Sequence, residues 1–137
     1  MSGLDFWIGE WEVTWEGGAG RNVVTRELDG HVVLERFEAS GPEPFSGLSV
    51  SVLEAATGQW RQTWVDSTGS YWTFVGGAQP DGTFVFATTE RVDSDRVFKR
   101  MVFSRIEKDA FDWRWEFSED AEQWDRRWFI RYARLSS

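Results

Sequence analysis

The chain has 137 residues, 41% hydrophobic and 28% charged, with a single His, 3 Pro and no Cys. That balance suits one globular domain over residues 1–137 and excludes a disordered or fibrous chain. Fifteen Lys and Arg against 23 Asp and Glu leave a net charge of -8, which disfavours nucleic acid and anionic membranes as partners, and the missing thiols remove disulfides, iron–sulfur clusters and the usual zinc ligand sets. Neither a metal centre nor a cofactor is expected.

Leu4 to Ile8 suits one helical turn at the N-terminus, short enough to plug the end of a sheet structure. The stretch before it has no basic n-region or long apolar h-region, so a cytoplasmic protein is expected, and no apolar run approaches the ~20 residues of a membrane-spanning helix. From there the chain repeats one pattern: seven to ten residues of alternating apolar and polar positions, closed by a cluster of turn formers. Trp11, Val13 and Trp15 alternate with Glu12, Thr14 and Glu16 before a glycine-rich turn at Gly17-Gly18-Ala19-Gly20. Arg21 to Leu28 and His31 to Ala39 flank Asp29-Gly30, a hairpin pair that tolerates positive φ. Beyond a loop with Pro42 and Pro44 come Leu48 to Leu53, a turn at Thr57-Gly58, Gln59 to Val65 and Ser70 to Val75. Turns at Gln79-Pro80-Asp81-Gly82 and Asp93-Ser94-Asp95 flank Thr83 to Arg91, followed by Arg96 to Ile106, Phe111 to Ser118 and Trp124 to Leu135. Short connections favour sequential pairing, and a meander of about ten strands avoids two sticky edges by closing on itself. The expected fold is all-β: an up-and-down antiparallel β-barrel of about ten strands, with the N-terminal turn closing one end.

The strings Asp5-Phe6-Trp7-x-Gly9-x-Trp11, Leu28-x-Gly30, Leu34-Glu35, Thr57-Gly58-Gln59-Trp60-x-Gln62-Thr63-Trp64-Val65-Asp66, Trp115-Glu116-x-Ser118-x-Asp120 and Tyr132-x-Arg134 span nearly the whole chain. Together they resemble the calycin superfamily, the lipocalins and their relatives, and in particular an uncharacterised bacterial family of lipocalin-like barrels. The resemblance implies the barrel fold, with Trp7 and Trp11 closing its bottom, and carries no catalytic residues. Gly9-x-Trp11 is also similar to the start of nitrobindin-type haem proteins. Their glycine-rich continuation is replaced here by Glu12-Val13-Thr14-Trp15, and their C-terminal haem-ligating His has no counterpart in Trp124 to Ser137. A haem would have to use His31.

Ten Trp and 11 Phe against 2 Tyr exceed what a small barrel needs to fill space. Alternation puts Trp60, Gln62 and Trp64 on one face. By the same rule Trp72 shares a face with Phe74, Phe84 with Phe86, Trp113 and Trp115 with Phe111 and Phe117, and Arg126 with Trp128, Ile130 and Tyr132. If these faces point inward, large rings line a cavity and Gln62, Thr88, Arg126 and Lys99 are isolated polar groups within it. The alternative is that the rings are core and the polar groups are structural. His31 and Glu35 share a strand face about 13 Å apart, too far to form a dyad. The face of Glu35 competes for the interior with that of Val32 and Leu34, and His31, next to the turn, is read as exposed, as a cavity hydrogen-bonder or as a ligand to haem or metal.

The leading expectation is therefore a barrel whose partner is an apolar or aromatic small molecule, with Trp60, Gln62, Trp64, Trp72, Phe86, Trp113, Trp115, Arg126, Trp128, His31 and Glu35 as candidate ligand-binding residues. A second expectation is a cofactor-independent isomerase, cyclase or lyase moving a proton with a cavity Glu, His or Arg. A third is a filled barrel that acts through its surface, as in a homodimer.

Overall fold

The computed structural model describes residues 3–88 and 97–136. A 3₁₀ turn, Asp5–Trp7, leads into ten strands: β1 (Gly9–Trp15), β2 (Gly18–Glu27), β3 (Val32–Ser40), β4 (Phe45–Leu53), β5 (Trp60–Asp66), β6 (Tyr71–Ala78), β7 (Phe84–Thr88), β8 (Phe98–Ser104), β9 (Ala110–Ser118) and β10 (Asp125–Ser136). Each pairs antiparallel with its chain neighbours, and β1 pairs with β10 to close the barrel. The closed up-and-down barrel is the expected fold. No helix among the described residues is long and apolar enough to cross a membrane. The expected turn at Asp93-Ser94-Asp95, and the strand ends on either side of it, lie outside the described residues.

β2 starts earlier, and β3 later, than the sequence suggests. The glycines expected to form the β1–β2 turn lie mostly inside β2, and only Glu16-Gly17 separate the strands, with Gly17 at φ 89°. A Cβ on Gly20 would lie 2.2 Å from the Glu38 carbonyl oxygen, so here glycine permits the close backbone approach of a tightly coiled barrel. At the β2–β3 turn Leu28, Asp29 and Gly30 all have positive φ, and this tight reversal draws His31 out of β3 and into the turn.

Antiparallel alternation puts the 3₁₀ turn at the end of the barrel where β2 meets β3, opposite the β1–β2, β3–β4, β5–β6 and β9–β10 turns. The 3₁₀ turn closes its end. Trp7 and Trp11 are almost wholly buried, and the Trp11 indole Nε1 donates to the Trp7 carbonyl at 2.8 Å. Phe6 packs edge-on against Phe103 and Phe111, and Trp11 against Phe111 and Tyr132. The Arg134 guanidinium lies 4.2 Å from the Trp11 ring centroid and donates to the Ile8, Phe6 and Lys108 carbonyls, tying the last strand to the plug. On the outer wall of β9, Asp112 and Glu116 are buried beneath arginines: Arg131 reaches Asp112 at 2.7 Å, and Arg100 and Arg114 clasp Glu116 at 2.8 and 2.7 Å. Arg131 of β10 is thus taken up by a cross-strand ion pair with β9.

Candidate functional site

Above the plug the side chains do not meet at the axis, and a cavity of about 300 Å³ remains. This is at the lower end of the range for small-molecule sites, about 300–1,000 Å³. Its wall is mostly aromatic: Trp64 from β5, Trp72 and Phe74 from β6, Trp113, Trp115 and Phe117 from β9, Trp128 from β10, and Phe37 and Phe45 from β3 and β4. Most of these rings meet edge-on, as the π quadrupole favours: Trp113 on Trp128 at 5.6 Å, Trp72 on Trp115 at 6.1 Å, Trp15 on Trp128 at 5.3 Å. At the open end, Trp64 Nε1 donates to Asp66 Oδ2 at 2.8 Å, and its ring crosses Gly47, where a Cβ would lie 2.0 Å from the indole. Burial alone raises the Asp66 carboxyl, but hydrogen bonds from Thr68, Trp64 and Ser70 outweigh it and hold the group below its ordinary value.

One quadrant of the interior is polar. Asn22, Glu35, Ser49, Ser51 and Gln62 lie on the neighbouring strands β2 to β5, and all are buried. Glu35 Oε1 accepts from Ser49 Oγ at 2.6 Å and Oε2 from Asn22 Nδ2 at 2.8 Å, while Asn22 also donates to the Tyr132 hydroxyl at 2.8 Å. Of this group Glu35 and Tyr132 line the cavity, together with Trp7 from the plug. Burial raises the Glu35 carboxyl above its ordinary range, against the hydrogen bonds from Ser49 and Asn22. Burial, and then the charge of Glu35, push the Tyr132 phenol well above its ordinary value, so it keeps its proton as a donor. Three buried polar atoms have no hydrogen-bond partner among the described residues: Trp7 Nε1, Asn22 Oδ1 and Gln62 Oε1. Of these residues, only Trp7 lines the cavity.

The structure thus brings Trp64, Trp72, Trp113, Trp115, Trp128 and Glu35 together around one cavity. Glu35 faces inward because Val33, Phe37 and Ala39 on the same side of β3 are buried and carry it with them, leaving Val32 and Leu34 half-buried on the outer side. Trp60, Gln62 and Phe86 are buried but do not line it: Trp60 and Phe86 pack on Phe84 near the plug, and Gln62 Nε2 donates to Ser51 Oγ at 2.9 Å. Arg126 is not inside. The β9–β10 register shifts between Arg126 and Trp128, and such an irregularity reverses the inward–outward phase, so Arg126 is exposed and its guanidinium stacks 4.9 Å from Phe129. His31 is also exposed, in the turn at the plugged end, and cannot supply an axial ligand to a haem in this cavity. Thr88 Oγ1 donates to the Lys99 carbonyl across β7 and β8, and the Lys99 ammonium lies over the Trp72 and Phe117 rings at 4.4 and 4.8 Å.

Sequence reasoning missed Asn22, Ser49 and the role of Tyr132. Asn22 is marked only as a lone polar residue in phase with Val24, whereas Tyr132 does share the predicted face of Trp128. Among the described residues no cluster of three metal-ligating side chains occurs. Compared with known proteins, the chain matches no family model and no curated protein.

Proposed function

We propose that the protein is a lipocalin-like barrel that binds a small planar or apolar molecule in this cavity. The ligand enters at the open end, lies between the indoles of Trp64, Trp72, Trp113, Trp115 and Trp128, and presents its polar group to Glu35 and Tyr132. One observation carries this reading: a cavity of about 300 Å³ walled mainly by aromatic rings also takes in the buried polar residues Glu35 and Tyr132. The test is native mass spectrometry of the purified protein together with titration by 2-phenylethanol, read as tryptophan fluorescence. A small-molecule adduct that is lost on denaturation, or saturable quenching weakened by Trp128→Ala, supports the reading. A bare mass with no response to 2-phenylethanol at millimolar concentration refutes it.

The inward Glu35 with its raised pKa favours a second reading, a cofactor-independent isomerase or lyase in which this carboxyl moves a proton and the Tyr132 hydroxyl steadies a developing oxyanion. Glu35-dependent deuterium exchange into an enolisable aryl ketone is the assay that separates turnover from binding.

A further inference from the structure

We propose that the cavity selects organic cations, specifically aromatic amines whose ammonium pairs with Glu35; this rests on the ligand-binding reading above. Among the described residues that line the cavity, the charged ones are Glu35 and Asp66, both acidic, and none is basic. The remaining wall is dominated by indole and phenyl rings, whose negative π faces attract a cation, most strongly for Trp. The net charge of -8 adds a long-range field of the same sign. A ligand carboxylate or phosphate would instead meet Glu35 with no basic residue among the described lining, the buried Lys99 ammonium being already held over Trp72 and Phe117. The barrel already shows the affinity of its rings for an ammonium, since Lys99 Nζ lies over Trp72 and Phe117, two rings that also line the cavity.

The carboxyl is placed for a ligand donor. Glu35 accepts one hydrogen bond at each oxygen, from Ser49 and from Asn22, which leaves further lone pairs on the carboxylate. The groups facing it are these two and Tyr132, none of them cationic, so its buried charge has no counter-ion in this cluster. An ammonium entering from the cavity supplies one.

The experiment compares three probes that share a phenylethyl group, by tryptophan fluorescence at neutral pH: 2-phenylethylamine, 2-phenylethanol and 3-phenylpropionate. The amine is expected to bind at least tenfold more tightly than the alcohol, with the carboxylate weakest. Glu35→Gln is expected to remove the amine's advantage, bringing the affinities of the amine and the alcohol within about twofold of each other. If that variant does not fold, acidification of the wild type serves instead: as Glu35 takes up its proton, the amine's advantage over the alcohol shrinks. Equal binding of all three probes, or an amine preference that survives both Glu35→Gln and acidification, overturns the cation inference and leaves the cavity reading standing. Failure of every probe, the alcohol included, overturns both.

Discussion

The plug and the cavity wall are both built from indoles, and exchanging one ring at each level separates their roles. Trp11 is fully buried, donates to the Trp7 carbonyl at 2.8 Å, meets Phe111 and Tyr132 edge-on and carries the Arg134 guanidinium on its face. Trp11→Phe loses that hydrogen bond, worth about 1 kcal/mol net. It also loses the buried part of the larger ring, about 1–2 kcal/mol at roughly 0.8 kcal/mol per methylene-sized group. The sum is a destabilisation of about 2–3 kcal/mol, read by urea unfolding followed by circular dichroism, against a typical total of about 5–15 kcal/mol. Trp128 is only half-buried and lines the cavity, so Trp128→Phe costs less than about 1 kcal/mol of stability. Its effect falls on binding: one aromatic contact is worth about 0.5–1.5 kcal/mol, so affinity for 2-phenylethanol drops about two- to tenfold. Trp11→Phe leaves that affinity within about twofold. A reversed pattern, with Trp11 controlling binding and Trp128 controlling stability, refutes the division of the barrel into a structural plug and a binding chamber.

Two further outcomes follow from the same geometry. Because burial raises the Glu35 pKa in the folded state, the native protein holds this proton more tightly than the unfolded chain, and stability without ligand falls as pH rises from the ordinary carboxylate range through the raised value. Glu35→Gln flattens that segment and stabilises the unliganded protein at neutral pH; parallel pH profiles for the two proteins would contradict the assignment. Gly47→Ala forces a methyl group against Trp64, 2.0 Å from the ring at the ideal Cβ position, and overpacking of this kind costs about 1–3 kcal/mol. The displaced indole gives up its bond to Asp66 and 2-phenylethanol affinity falls, whereas an unchanged affinity would mean that the Trp64 position is not part of the binding wall.

The fold was legible because the strands alternate apolar and polar residues, as in Phe111, Trp113, Trp115 and Phe117 against Asp112, Arg114 and Glu116. Closure followed from the short connections, and the five indoles of the wall followed from the alternation. Less legible were the places where alternation breaks. The irregularity before Trp128 puts Arg126 outside, and no residue type in Asp125-Arg126-Arg127 announces it. His31 left its strand because three successive left-handed residues make the turn longer than Asp29-Gly30 implies. The polar cluster was hidden for another reason: Asn22, Glu35, Ser49 and Tyr132 come from four strands, and only barrel closure brings Tyr132 of β10 within 2.8 Å of Asn22 on β2.

The most direct test of the binding chamber uses the tryptophans themselves as reporters, through the indole N–H signals of the ¹⁵N-labelled protein during titration with 2-phenylethanol. The account predicts that the signals of Trp7, Trp64, Trp72, Trp113, Trp115 and Trp128, which line the cavity, move together and saturate, while those of Trp11, Trp60 and Trp124 stay in place. Movement confined to Trp11, Trp60 or Trp124, or no movement at saturating probe, would contradict it.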